Sequence, residues 1–475
     1  MTEATMGGNL NMQRIVLALL PVLYFLALYP EMSIFGLAGI FLFTMIFTAF
    51  MLELSSGVPL RLLILLVAFT QWIVAPIMAY YFLPESQFYA MSVDEEDYMG
   101  YVFPAILAFS AGLMTGRSRS KKYDLDSVNR MFIAGKYYLT HGKTLVIAGL
   151  LANLLIGVVP GGLKYFMLLL SYLKFVGAFY LFLSTSTSKW VWIIAAFTGE
   201  VLAAVSSTIF HDLLLWCGYF FILYTFVNKV SLSKRVIMIV FALIGIFLLQ
   251  SIKSELRSMV NEDQGLSTMD RIEAAGGLVG QQLDESQELT EQTTMQDFVD
   301  RINQGWIIAR IICTVPDDEP YALGETILDG LQAAFIPRIL NPNKAKSGGQ
   351  ANFHRFTGYY TGEGTSMDLS IVGEAYANFG RWGGIAFMLL LGFFFNWAMT
   401  FTMKKSMKYP ELVLWLPFLF FYCVKAENDF ATAINQVMKS AFMAYLVINI
   451  MHRLIPVPRE YREAKFQSIP QQARV

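Results

Sequence analysis

Long apolar runs recur along this chain, and they decide what it can fold into. An apolar run of about 17–25 residues crosses the ~30 Å hydrocarbon core as a helix. Backbone in hydrocarbon must satisfy its own hydrogen bonds, which a helix does within one segment. About twelve runs can be read: 15–29, 33–52, 61–83, 98–116, 144–160, 163–184, 189–206, 209–228, 235–250, 383–403, 411–424 and 432–451. Only 15% of the 475 residues are charged, against roughly a quarter in an ordinary soluble chain. The expected fold is therefore an all-α polytopic integral membrane protein with about 12 transmembrane helices. The first run has no small-residue cleavage site after it and reads as a span, not a signal peptide. Cys217, Cys313 and Cys423 are scattered and odd in number, with no CxxC pair, a pattern that argues against disulfides and metal binding.

Positive charge sets the expected orientation. The loop 117–143 carries Arg117, Arg119, Lys121, Lys122, Arg130, Lys136 and Lys143. By alternation, Lys229, Lys234 and Arg235 fall on the same side, as do Lys404, Lys405, Lys408 and the tail with Arg453, Arg459 and Arg462. The loop 84–97 has five acids and no base. Both termini are expected in the cytoplasm. The chain then divides into an N-terminal membrane bundle of about nine spans (1–250), a large extracytoplasmic loop region (251–382), C-terminal spans (383–451) and a cytoplasmic tail (452–475). No internal repeat is visible, which weighs against a two-fold symmetric transporter.

The outer segment changes character along its length. Residues 251–337 hold sixteen acids and five bases, whereas 338–381 hold five bases and three acids. A local reversal of sign against an acidic background suggests an anion site. Helical periodicity in FVDRINQGWIIARII (298–312) puts Trp306 and Ile307 near Arg310 on one face. Arg338, Lys344, Lys346, His354 and Arg355 read as a clamp for a diphosphate, since Arg binds phosphate through a bidentate fork and Lys as a point charge. The same residues also suit general attraction to lipid headgroups. In GEAYANFGRWGG, Glu374, Tyr376 and Asn378 precede a span. Glu374 either caps a helix or pairs with Arg381, or it is a carboxylate that works on a sugar hydroxyl.

Lys174 and Glu200 fall inside consecutive spans. Charges at that depth are costly and usually paired, so they read as a structural pair or as part of a proton or substrate path. His211–Asp212 and Lys425–Glu427–Asp429 sit at outer span ends and either line one cavity or form a solvated rim. No DxD pair accompanies Asp368, and no Walker A, GxSxG or usable GxGxxG is present. No metal and no cofactor are expected.

The order of these features resembles the Wzy-type polysaccharide polymerases, relatives of the O-antigen ligases. It consists of many spans, one large outer loop late in the chain, then IPR…NPNK…GEAYANFG…G and a span. The closest match runs from Phe335 to Gly384, and the span pattern extends it more loosely. The resemblance implies a metal-independent glycosyltransferase at the outer face of the bacterial inner membrane. Its substrate would be an oligosaccharide linked to undecaprenyl diphosphate. Membrane lipids, a flippase and a chain-length regulator are the further partners implied, and nucleic acid is not. The outer-loop arginine role carries to Arg338 and Arg355, and more loosely to Arg301 and Arg310. His354 stands where the ligases use an outer-loop histidine. On this reading Glu374, His354, Arg338 and Arg355 are catalytic. Arg301, Arg310, Lys344, Tyr376, Asn378, His211 and Lys425 bind substrate. A ligase-type transferase, a transporter or flippase of lipid-linked sugars, and a scaffold subunit of a surface-polymer assembly are the other readings.

Overall fold

The computed structural model describes residues 18–82, 89–116, 135–207, 210–251, 277–278, 292–335, 349–361 and 367–456. Among them every regular element is helical. The N-terminal part comprises α1 (Ala18–Leu28), α2 (Ile34–Glu53), α3 (Leu60–Tyr81), α4 (Glu95–Met114), α5 (Gly135–Leu155), α6 (Gly161–Phe182), α7 (Lys189–Ser207), α8 (His211–Asn228) and α9 (Leu232–Ser251). The polar segment holds α10 (Gln292–Ile302), α11 (Gly305–Thr314), α12 (Glu325–Phe335) and α13 (Gln350–Thr357). The last part is α14 (Ile371–Ser406), α15 (Leu412–Leu419), α16 (Phe421–Val424) and α17 (Phe430–Leu454).

Among the described residues five helices, α2, α3, α4, α6 and α14, are long and apolar enough to cross a membrane. Large apolar side chains stand exposed on the outer surface, among them Ile237, Phe241 and Ile244 on α9 and Leu390, Trp397 and Phe401 on α14. Apolar faces of that extent suit hydrocarbon rather than water. The chain is a membrane protein whose described residues are helical.

Polar ties at the helix ends fix the helix directions. Glu95, at the start of α4, accepts from the Ser33 amide and hydroxyl before α2, at 3.1 and 2.6 Å. It also accepts from the Tyr81 hydroxyl at the end of α3, at 2.5 Å. These three helix ends therefore share one side. At the opposite end, Arg235 donates to the Met51 carbonyl and to the Ser55 hydroxyl, and Lys229 donates to the Ser55 carbonyl. The basic ends of α8 and α9 thus meet the far end of α2. Helices α5 and α6 pack closely because Gly142 and Gly177 face each other; a Cβ on Gly177 would stand 2.6 Å from the Gly142 carbonyl. Small residues let apolar helices approach in this way where no hydrophobic force drives them together.

Several boundaries differ from the sequence reading. The span expected at 383–403 is part of a helix that already begins at Ile371. It breaks at Gly380 (φ 65°, ψ −169°), a conformation that favours glycine. The Tyr321 hydroxyl stands 3.0 Å from where a Cβ would be. The residues before the break, 371–379, form the first part of this helix and carry Glu374, Tyr376 and Asn378. The run 411–424 divides at Phe420, which leaves helical geometry. The continuous helix expected over 298–312 is two helices, α10 and α11. Asn303 stops the first: its side-chain oxygen accepts from the Gly305 amide at 2.8 Å. Helix α5 starts at Gly135, inside the stretch 117–143 expected to be a loop.

Candidate functional site

A polar centre forms where the start of α8, residues 367–374 and the loop between α16 and α17 meet. His211 and Asp212 open α8. Lys425 reaches Asp212 at 2.5 Å, and the Tyr172 hydroxyl of α6 donates to the other Asp212 oxygen at 2.6 Å. Beside this pair, His211 Nδ1 lies 2.8 Å from Glu427 Oε1. The two acid–base pairs tie α8 to the loop 425–429, and Tyr172 ties α6 to the same Asp212. From its other side Ser370 holds the same loop: its hydroxyl donates to the Ala426 carbonyl at 2.6 Å and accepts from the Trp72 indole at 2.8 Å. Ser370 adopts φ 61°, ψ 142°, which is strained for a residue with a Cβ. A small cavity of about 10 Å³ is lined by Ile64, Ala68, Trp72, Phe109, Met388 and Lys425, among others.

Glu374 lies beneath this loop, 2% exposed. One oxygen accepts from the Thr326 hydroxyl at 2.6 Å and the other from the Phe430 amide at 2.7 Å. Asp429 caps the same helix start by accepting from the Thr432 amide at 2.7 Å. Asn378 donates to Thr326 Oγ1 and to the Glu374 carbonyl, and accepts from the Gly324 amide. Glu374 and Asn378 therefore lock α12, α14 and α17 together. Of the alternatives read from the sequence, the helix cap is the contact that forms. Arg381 is instead placed against α4 near Gly100.

The charges set one another. Burial works against the Lys425 ammonium, but Asp212, Tyr422 and Glu427 outweigh it and hold its pKa above the ordinary value. Burial likewise opposes the Glu427 carboxylate, and His211 and Lys425 pull it below the usual range. Burial pushes Asp429 up. Asp368, which accepts from the Gly349 amide at 3.3 Å, is pushed up to about 7 by burial and then by Asp429. An unfolded Asp titrates near ~3.9. Its raised pKa gives stability that is full below about pH 4 and lost as pH rises through about 7. Asp368→Asn keeps the acceptor but removes the charge. It should raise the thermal unfolding midpoint in detergent by a few degrees at pH 8, with the gain vanishing toward pH 4. Equal pH slopes for variant and parent would refute this.

The other expected residues are spread over the polar segment. The Arg355 guanidinium donates to Glu319 at 2.6 Å and Glu325 at 3.0 Å. Its fork is thus closed by two carboxylates of the same segment, which first among the causes raise its pKa. In this arrangement Arg355 bridges the two carboxylates, with which a diphosphate would compete. His354 lies against Tyr360, ring centroids 3.6 Å apart. Arg310 donates to the Thr357 carbonyl at 2.8 Å and covers the Tyr359 ring. Arg301 ends α10. Tyr376 packs edge-on against Tyr101 and Tyr321. Arg338, Lys344 and Lys346, and the sign reversal they begin, lie outside the described residues. The structure brings His211 and Lys425 together, and separately places His354 and Arg355 on α13, to whose last residue Arg310 of α11 is tied.

Sequence reasoning missed Tyr172, Thr326 and Ser370 and weighed Asp368 only as half of a metal motif. A tyrosine or serine in an apolar run gives no signal of its own; only the partner, 40 or more residues away, reveals it. Among the described residues, no group of three or more His, Cys, Asp or Glu converges as a metal site would. No family model, curated protein or solved structure matches the chain.

Proposed function

We propose that the chain is a metal-independent glycan polymerase at the outer face of a bacterial inner membrane, with about twelve spans and both termini in the cytoplasm. It would transfer a growing glycan from undecaprenyl diphosphate to a sugar hydroxyl of another lipid-linked unit. The observation that carries this reading is the polar centre itself. Paired acids and bases stand together where the start of α8 meets the loop 425–429, at the ends of apolar helices. Next to Trp72, the Gln71 carbonyl of α3 accepts from the amide of Gln304, which caps α11 of the polar segment. Such a place suits a substrate with a charged diphosphate between a lipid and a sugar. Cations neutralise the departing diphosphate, which is stabilisation of developing charge. Holding two lipid-linked chains together supplies proximity. Arg338 and Lys344 are proposed to serve the diphosphate on the strength of the resemblance and their charge.

A transporter of lipid-linked sugars is the second reading. The ion pair Lys174–Glu200, buried between α6 and α7, favours it, because charges inside membrane bundles often mark transport paths. The surface glycan of a strain lacking this protein separates the classes. Single repeat units at the surface are the result expected of a missing polymerase. A strain with no surface glycan points to a flippase, and one with polymer held on the lipid carrier points to a ligase.

A further inference from the structure

The polar centre contains a carboxylate–histidine dyad that the sequence reading did not assign to chemistry. His211 Nδ1 lies 2.8 Å from Glu427 Oε1, and both side chains are about a third exposed, 32% and 34%. A carboxylate at one ring nitrogen fixes the tautomer and orientation of an imidazole and leaves the other nitrogen to accept a proton. No described residue hydrogen-bonds His211 Nε2. The adjoining pair has no such freedom: Asp212 is held by Lys425 and by Tyr172. Glu374, the carboxylate first expected to act on the acceptor, has both oxygens occupied and is buried. Among the described residues the dyad is therefore the partly exposed acid–base pair of this centre whose second ring nitrogen has no hydrogen-bond partner.

We infer that His211 is the general base for the acceptor sugar hydroxyl and that Glu427 positions it. The inference rests on the transferase reading above. Nε2 takes the hydroxyl proton as the hydroxyl oxygen forms a bond to the donor's anomeric carbon. The bond from that carbon to the diphosphate oxygen breaks, and the lipid diphosphate leaves with the electron pair. The imidazolium, stabilised by the Glu427 carboxylate, then loses its proton to solvent through its exposed edge. Lys425 stands beside the dyad, paired with Asp212, where a diphosphate would compete for it.

The charged and titratable groups around His211 are Asp212 on its own helix, Glu427 and Lys425 on the facing loop, Tyr172 and Tyr422 behind them, and Asp368 next to Glu427. The rate should therefore rise with pH through an imidazole ionisation. Glu427→Gln removes the charge that favours imidazolium, so this acid limb should move to lower pH. His211→Asn keeps an N–H toward Glu427 but cannot take the proton. It should lower the rate by about 10²–10⁴-fold and abolish the limb.

The assay is full-length protein in liposomes with a lipid-diphosphate-linked repeat unit, run from pH 5 to 9, with melting temperatures measured alongside. A parental rate retained by His211→Asn, with the acid limb in place, overturns the dyad and leaves the transferase reading standing. If His211→Asn fails to fold, the Glu427→Gln profile decides, and an unmoved limb overturns the proposal. No product from the unmodified protein removes both the proposal and the reading beneath it.

Discussion

Replacing Lys174 by alanine should cost about 3–5 kcal/mol of stability, because Glu200 would be left as an unpaired charge between helices. Lys174 is fully buried and its ammonium lies 2.9 Å from Glu200, whose side chain is 14% exposed. The position is rigid, since Gly149 on α5 packs directly against the Lys174 backbone and a larger residue there would collide with it. The ammonium also lies over the Phe175 ring, so truncation removes a second favourable contact. Glu200→Ala should cost at least as much, because it leaves the fully buried Lys174 ammonium unpaired, whereas Lys174→Ala leaves a carboxylate that is 14% exposed. The double variant should be milder than the sum, since neither charge remains to be buried alone. The measurement is the thermal midpoint of the purified protein and its amount in the membrane. Both single variants accumulating and melting normally, yet losing activity, would contradict the structural role and favour a transport path.

Arg338→Lys should sharply shorten the surface polymer at unchanged protein level, and Arg338→Ala should abolish it. The reason is geometric. A fork that grips a diphosphate with two N–H groups is lost in lysine, although the charge stays. Arg355→Ala should behave differently. Its guanidinium bridges Glu319 and Glu325 from a site about one-third exposed, where such pairs contribute modestly. Polymer length should hold while the melting temperature falls slightly. General attraction to headgroups makes another forecast: lysine would replace Arg338 without loss, because a lipid surface reads charge and not shape. Full-length polymer from both Arg338 variants at parental protein level would remove the clamp.

What the sequence makes legible is what is local in it. Runs such as 33–52 and 61–83 announce helices because each needs nothing beyond its own residues, and α2 and α3 follow them within a few positions. Lys174 and Glu200 point to each other because charges in neighbouring apolar runs need partners. His211, Asp212, Lys425 and Glu427 suggest a shared cavity because all fall at span ends on one side, but the pairing itself spans more than 200 residues. Where a backbone break depends on a distant contact, the sequence is silent. The end of α10 at Asn303 sits in a stretch whose periodicity runs on unbroken, and Gly305 there packs against Pro76 and Tyr98. The break at Gly380 hides in a glycine-rich stretch that reads equally as a loop. Arg355 looks like a free anion-binding residue because its two glutamates lie 30 and 36 residues upstream.

The central claim is that this chain joins lipid-linked glycans. Purified protein in liposomes, supplied only with a lipid-diphosphate-linked repeat unit, tests it most directly. The account predicts a ladder of longer glycans on the lipid carrier, released free lipid diphosphate in equal number to the new linkages, and no need for a nucleotide sugar. Repeat units that stay single, with no lipid diphosphate released by well-folded protein, would contradict it.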